Sequence, residues 1–125
     1  MPKSPPPLVL ILENDPASAA ALELLVRDGG YETLLATRLS ELPAVAEKAR
    51  ACVALIVDYH LHDGTGVEAV RQLAALGITP PVLMMTGTLR GKARTDATAA
   101  GHRFLEKPVD PAAIMRWLND SAARA

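Results

Sequence analysis

Five side chains that could do chemistry each follow an apolar segment of this chain. They are Glu13, Asn14, Asp58, Thr86 and Lys107. Oxygen-bearing side chains without clustered His or Cys suit a hard cation such as Mg²⁺. A lysine and a hydroxyl beside such a cation are typical of sites that hold a transferring phosphoryl group. A carboxylate can itself accept that group, and Asp58 is the best candidate because it ends the central apolar segment.

The apolar segments alternate with helical segments along the chain. The strands are predicted over Leu8–Leu12, Tyr31–Ala36, Cys52–Val57, Val82–Met85 and Arg103–Glu106. The predicted helices begin near Asp15, Ser40, Thr65, Lys92 and Asp110, and the last ends near Asn119. Continuous apolar strands between helices indicate a parallel sheet that is covered on both faces. The predicted fold class is therefore α/β, a (βα)5 doubly wound sheet of five parallel strands.

The carboxyl ends of parallel strands lie at one edge of a sheet, and ligands of such folds bind there. We therefore expect the five side chains to converge at that edge. Each alone has an ordinary interpretation, since an Asp after a strand usually caps a helix and Lys-Pro usually lies in a loop. Their joint placement at four strand ends is what predicts a site. The segment that directly follows Asp58, residues 59–64, is predicted to be a loop.

Composition restricts the kinds of protein that this chain can be. It has 125 residues, half of them hydrophobic and 22% charged, which suits one folded domain. A formal net charge of −1 argues against general nucleic-acid binding. The single cysteine excludes an intrachain disulfide, and no apolar run reaches the ~18 residues of a membrane span. We expect a proline-rich lead-in over residues 1–7, one domain over 8–121, a tail over 122–125 and a cytoplasmic location.

The order and intervals of these motifs resemble the receiver domain of two-component response regulators, from Leu8 to Leu118. The matching motifs are the acidic cluster after the first strand, the central Asp58, Thr86-Gly87 and Lys107-Pro108. Residues 58–66 and 105–109 are similar in particular to the C-terminal receivers of hybrid sensor histidine kinases. The resemblance implies a flavodoxin-like receiver fold and a role in a bacterial phosphorelay.

The resemblance also implies how the site works. Asp58 would take a phosphoryl group from a phosphohistidine on a histidine kinase or a histidine phosphotransfer domain. The reaction would depend on Mg²⁺, held by Asp58, the side chain of Asn14 and the backbone carbonyl of His60, with Glu13 acting through water. Lys107 would pair with a phosphoryl oxygen.

A conformational switch is implied by the same resemblance. Thr86 would swing to bond the phosphoryl group, and Phe104, at the aromatic switch position, would then turn inward. Lys107 and Pro108 would be joined by a cis peptide bond, which only proline makes common. A domain of this kind is a signalling switch and not an enzyme, although it assists its own phosphorylation and dephosphorylation.

Position 14 departs from the family pattern, which usually has two acids after the first strand. Asn14 offers a carbonyl oxygen without charge, so weak Mg²⁺ binding is expected. Asp15 is not expected to replace it, because successive side chains alternate in direction and Asp15 suits the N-cap of the helix that Pro16 begins.

Other interpretations remain open. The main alternative is a degenerate receiver that binds proteins without being phosphorylated. A phosphatase of the haloacid-dehalogenase type is disfavoured, because Leu61 stands where the motif around Asp63 needs an acid. His60 and His62 are expected to be loop residues and not metal ligands.

The partners expected are a histidine kinase or a phosphotransfer domain. Direct DNA binding and membrane insertion are not expected, because the chain leaves no room for a DNA-binding domain and lacks a long apolar segment. The signal from this domain would be passed on by another protein, or by a longer protein of which this chain is a fragment. The sequence leaves the oligomeric state open, a homodimer included.

Overall fold

The computed structural model describes residues 5–87, 91–100 and 102–124. Five strands form one parallel sheet: β1 (Leu8–Leu12), β2 (Glu32–Ala36), β3 (Cys52–Asp58), β6 (Val82–Thr86) and β7 (Arg103–Glu106). Their order in the sheet is β2-β1-β3-β6-β7. Two short strands, β4 (His60–Leu61) and β5 (Gly64–Thr65), pair with each other as an antiparallel hairpin, called here the acceptor-loop hairpin. The predicted doubly wound parallel sheet is confirmed.

The helices lie between the strands of this sheet. They are α1 (Pro16–Asp28), α2 (Leu42–Ala49), α3 (Gly66–Ala75), α4 (Gly91–Ala100) and α5 (Pro111–Ala123), with a 3₁₀ helix at Leu39–Glu41 before α2. Sequence signals explain where several of them begin. Asp15 is the N-cap of α1, where its side chain accepts the Ser18 N–H at 2.9 Å and Pro16 follows it. Thr65 caps α3 in the same way.

Alternate residues of the central strands enter two separate cores, one on each face of the sheet. On the first face, Leu10, Leu55 and Met84 pack with side chains of α2 and α3. On the second face, Ile11 and Ile56 pack with side chains of α1 and α5. Because successive side chains of a strand point to opposite faces, a strand buried on both faces must be apolar throughout. This is why the central strands are continuous apolar runs in the sequence.

Three predicted elements differ clearly from the structure, in addition to shifts of one residue at an end of β2, β3, β6 and α4. The loop predicted over residues 59–64 contains the acceptor-loop hairpin, in which Leu61 pairs with Gly64. The helix predicted from Ser40 begins instead with the 3₁₀ helix. The last helix continues to Ala123 because buried Ser121 packs inward and Asn119 accepts the Tyr31 hydroxyl at 2.6 Å. Gly101, which the sequence predicts to end the fourth helix, lies outside the described residues.

Candidate functional site

The site lies where two neighbouring strands of the sheet end together. β1 pairs in register with β3, so that Leu12 lies beside Val57. The next residue of each strand is acidic, which brings Glu13 and Asp58 to the same edge. The connections from β1 and β3 lead to opposite sides of this point in the strand order, and such switch points are where ligands bind in doubly wound sheets.

One lysine faces both buried acids. Lys107 Nζ lies 2.9 Å from Asp58 Oδ2 and 3.5 Å from Glu13 Oε2. Glu13 is 0% exposed and Asp58 is 4% exposed, whereas one third of the Lys107 side chain is exposed. A single ammonium therefore offsets two carboxylates, and the ionised cluster keeps a net negative charge.

The pKa values of the cluster reflect this arrangement. Burial raises the pKa of Glu13, and the charge of Asp58 adds to that effect, although the Asp15 N–H and Lys107 oppose it. Burial acts to lower the pKa of Lys107, but the carboxylates of Asp58 and Glu13 outweigh it and raise that pKa. Lys107 is thus held in its charged form by its two acidic neighbours.

A hard cation fits the oxygen atoms gathered here. Within the described part of the chain, Glu13 Oε2 is buried without a hydrogen-bond partner. Asp58 Oδ1 accepts a hydrogen bond from the His60 N–H at 3.1 Å. Half-buried Asn14 directly follows Glu13, and His60 is the second residue after Asp58. The two carboxylates, the Asn14 amide oxygen and the His60 carbonyl would together make an all-oxygen set of the kind that Mg²⁺ prefers.

The described residues offer no third acid beside Glu13 and Asp58 that could complete the site. No group of three or more His, Cys, Asp and Glu side chains that could hold a metal is found among the residues that the structure describes. Asp15 is exposed and engaged as the N-cap of α1, where the Ser18 N–H lowers its pKa. His60 and His62 are both exposed. The amide of Asn14 is therefore the side chain that would stand where a second acid is usual.

The two remaining strand ends lie side by side. The Lys107 N–H donates to the Thr86 carbonyl at 2.7 Å, and the Lys107–Pro108 peptide bond is cis, as the resemblance implies. Thr86 is fully buried. By strand alternation its side chain shares a face with Met84, which is the face of the sheet that also holds Phe104.

Phe104 belongs to a second group that sequence reasoning found only in part. Its ring lies 6.4 Å from the ring of Tyr59, which follows Asp58 in the chain. The Tyr59 hydroxyl donates to Asp96 Oδ2 of α4 at 2.7 Å. Tyr59 therefore connects the end of β3 to α4. Its position next to Asp58 was the available signal, but nothing in the sequence identified Asp96 as its partner.

This fold and site define a class of protein, an α/β domain with a lysine-bridged acidic pair at the switch point of its sheet. The sequence matches the response regulator receiver domain family over residues 9–119. The chain belongs to that family. It is a receiver domain, a phosphoacceptor signalling domain of two-component systems, and such domains are in general not catalytic enzymes.

Individual relatives agree with this assignment. The chain is 30% identical to the transcriptional regulatory protein FixJ of Azorhizobium caulinodans over 100% of its own length and 58% of that relative. It is 26% identical to the cell cycle transcriptional regulator CtrA of Caulobacter vibrioides over 80% of its length and 43% of that protein. The chain thus spans about half the length of these curated relatives.

The solved structures agree on the fold. A CheY-like receiver domain protein from Methanospirillum hungatei superposes with a TM-score of 0.83 at 22% identity, covering 94% of each chain. The finer similarity to C-terminal receivers of hybrid kinases is not confirmed. In the described residues, none of the helices has the length and apolar character needed to cross a membrane.

The contact between Tyr59 and Asp96 yields a prediction about pH. Burial, followed by the hydrogen bond and charge of Asp96, raises the pKa of Tyr59 to about 12 from an ordinary value of 10.0. The neutral phenol therefore stabilises the fold below pH 10.0, and this contribution is lost as the pH rises towards 12. In a Tyr31→Phe background, ultraviolet titration should show Tyr59 ionising near that upper value.

Asp96→Ala should lower the pKa of Tyr59 but leave it above 10.0, because burial is the larger cause. Asp120→Ala, which removes an exposed acid of α5, is the matched control and should have no effect. A Tyr59 that titrates alike with and without Asp96 would contradict the contact.

Proposed function

We propose that Asp58 is the phosphoacceptor of this receiver domain and takes its phosphoryl group from a phosphohistidine of a histidine kinase or a histidine phosphotransfer domain. The observation that carries the proposal is the Asp58 carboxylate at the end of the central strand, 2.9 Å from Lys107 Nζ. Glu13 is the other acid of the cluster, but it is fully buried and lies farther from Lys107 Nζ, at 3.5 Å. Asp15 is already engaged as a helix cap.

The transfer itself needs little chemistry from the protein. A carboxylate oxygen of Asp58 forms a bond to phosphorus while the bond from phosphorus to the imidazole nitrogen breaks, and the leaving imidazole keeps the electron pair. The Lys107 ammonium is in place to donate to a phosphoryl oxygen instead of to the Asp58 carboxylate. The cluster then needs more positive charge, because a phosphoryl group adds to a site that is already negative.

Mg²⁺ is the group that would supply this charge. Glu13, Asn14, Asp58 and the backbone carbonyl of His60 would hold it, Glu13 through water. When bound, it would offset the negative charge of the phosphoryl oxygens. The uncharged Asn14 would make this binding weaker than an acid at the same position. The domain would in this way assist its own phosphorylation and dephosphorylation.

Thr86 and Phe104 would convert the new charge into a change of shape. The Thr86 hydroxyl would move to bond a phosphoryl oxygen, and Phe104 would turn inward against the space that Thr86 leaves. Phe104 has no hydroxyl, so this switch would work through packing. Its contact with the Tyr59 ring, and the bond from Tyr59 to Asp96, would carry the change to α4.

A groove beside the site supports the proposed donor. It encloses about 570 Å³ between α1 and the start of α5 and reaches Lys107 at its inner end. Its wall includes Ala21, Leu25, Val109 and Ile114. Asp58 does not line the groove, but Lys107, its ion-pair partner, does. A carrier that brings a phosphohistidine to Asp58 would therefore lie next to this apolar surface and could pack against it.

A degenerate receiver that only binds proteins is the second candidate, and Asn14 is the observation that favours it. The two candidates differ in one measurable property, which is whether the chain accepts a phosphoryl group at all.

The first prediction of the proposed function is that Asp58 is the sole phosphoacceptor. With Mg²⁺ and acetyl phosphate, the wild-type chain should gain one phosphoryl mass, and Asp58→Asn should gain none because its amide cannot attack phosphorus. Intact-mass spectrometry measures both. Asp15→Asn, which changes a neighbouring exposed acid, should still be labelled. Labelling of Asp58→Asn would refute the assignment, and an unlabelled wild type would favour the degenerate receiver.

The second prediction separates phosphorylation from switching. Lys107→Ala should fold but should uncouple phosphorylation from the conformational change, because the phosphoryl group then lacks its cationic partner. Thr86→Ala should still be phosphorylated but should switch weakly. Comparing backbone NMR shifts with and without acetyl phosphate measures the change, and Lys92→Ala is a control on the exposed start of α4. A normal switch in both variants would count against this part of the site.

The third prediction concerns metal affinity. A unit charge ~4 Å from Mg²⁺ is worth roughly 8 kcal/mol gross at an effective dielectric of ~20. Desolvation and repulsion from Glu13 and Asp58 cancel most of it, so Asn14→Asp should gain about 1–3 kcal/mol, or roughly 5- to 150-fold in Mg²⁺ affinity. Calorimetric titration measures this. Asn14→Ala, which removes the amide oxygen, should bind Mg²⁺ more weakly than the wild-type chain. An affinity that Asn14→Asp leaves unchanged or lowers would show that position 14 is not a ligand.

A further inference from the structure

Asp63 joins two loops that are far apart in sequence. Its Oδ1 accepts the Leu39 N–H at 2.7 Å, and its Oδ2 accepts the Ser40 N–H at 3.0 Å. Both donors belong to the first turn of the 3₁₀ helix, where N–H groups have no partner within the helix. Burial acts to raise the pKa of Asp63, but the Leu39 and Ser40 N–H groups, together with the Asp63 N–H and the Ser40 side chain, outweigh it and lower that pKa. Each carboxylate oxygen of Asp63 thus accepts one N–H of the 3₁₀ helix.

An apolar contact reinforces the polar one at the same place. Gly64 lies so close to Leu39 that a side chain at position 64 would collide with Leu39 Cδ1. Leu39 and Leu61 are each 7% exposed and share one core. At the tip of the acceptor-loop hairpin, Gly64 therefore packs against the Leu39 side chain, and Asp63 accepts a hydrogen bond from the Leu39 N–H.

The anchor itself is held by the loop before α2. Glu41 Oε1 accepts the Thr37 N–H and the Thr37 hydroxyl, each at 2.6 Å, and the Arg38 N–H at 3.1 Å. These bonds fix the start of the 3₁₀ helix relative to the end of β2. Asp63 therefore links the hairpin to the 3₁₀ helix, whose position relative to β2 is fixed by the hydrogen bonds of Glu41.

The other end of the hairpin touches Asp58. The His60 N–H donates to Asp58 Oδ1 at 3.1 Å, and His60 pairs with Thr65 across the hairpin. The Gly66 N–H then closes the loop on the Tyr59 carbonyl at 2.8 Å. The orientation of the Asp58 carboxylate depends on where this hairpin lies, because Lys107 fixes only its other oxygen.

We propose that Asp63 is a positioning residue for the phosphoacceptor. By fastening the hairpin to the 3₁₀ helix, it sets the position of His60, whose N–H orients the Asp58 carboxylate. This inference rests on the proposed function, in which Asp58 accepts the phosphoryl group. Asp63 touches no reacting atom and acts only through the hairpin.

The test compares Asp63→Ala and Asp63→Asn with the wild-type chain in two measurements. The first is hydrogen exchange of the His60 amide without Mg²⁺ or a phosphoryl donor, followed by NMR. The second is the rate of phosphorylation of Asp58 by acetyl phosphate at saturating Mg²⁺, mapped by peptide mass. Asp63→Ala should speed the exchange and slow the phosphorylation, each on the order of tenfold, as expected from one or two lost hydrogen bonds.

Asp63→Asn keeps one acceptor oxygen and should lie between wild type and Asp63→Ala in both measurements. It also keeps the test decisive if Asp63→Ala does not fold. The matched control is Asn119→Ala, which removes the 2.6 Å hydrogen bond to Tyr31 at the opposite edge of the sheet. That variant should lose stability without changing either measurement.

The outcomes divide cleanly. Unchanged exchange and rate in the Asp63 variants, or equal changes in Asn119→Ala, would overturn the positioning role even if Asp58 is phosphorylated. If the wild-type chain is not labelled on Asp58, the proposed function fails on its own account. The exchange of the His60 amide still reports whether Asp63 holds the hairpin in that case.

Discussion

The enclosure of two carboxylates beside one ammonium is the constraint on which this structure depends. Glu13 and Asp58 are almost completely removed from water, and one ammonium, that of Lys107, forms an ion pair with both. Buried charges are costly unless they are paired, and two acids on one lysine are only partly paired. The surrounding chain must therefore hold these groups in place, which is the task of the adjoining strand ends, the acceptor-loop hairpin and the segment at Lys107.

The same constraint bears on the exchange of partners in the proposed function. Lys107 is one third exposed and shared between two acids, so in that proposal it would turn to a phosphoryl group without a new cation entering from the protein. Glu13 Oε2 is buried without a hydrogen bond among the described residues and has the Lys107 ammonium at 3.5 Å. The oxygen atoms that make the resting site costly are thus the ones that a hard cation would satisfy.

Sequence reasoning succeeded where simple periodicity and topology decide the outcome. Asp58 and Lys107 are 49 residues apart, yet their contact was predictable because parallel strands bring their carboxyl ends to one edge. The cap at Asp15 followed from residue types alone. The bonds from Asp63 to Leu39 and from Tyr59 to Asp96 were not predictable, because they depend on how loop and helix side chains meet across 24 and 37 residues. The hairpin was missed for the same reason, since two-residue strands leave no periodic signal.

The strict alternation of side chains in the central strands has a consequence for how the two faces of the sheet communicate. Asp58 lies two residues after Ile56 and so faces the side of α1 and α5. Thr86 lies two residues after Met84 and so faces the opposite side of the sheet. In the proposed function, a conformational change that begins at the Asp58 carboxylate would therefore cross the thickness of the sheet to reach Phe104. The side that receives the phosphoryl group and the side that changes shape would be opposite faces of the domain. A partner docked beside α1 and α5 to deliver the phosphoryl group would then leave the face around Phe104 free for a second partner.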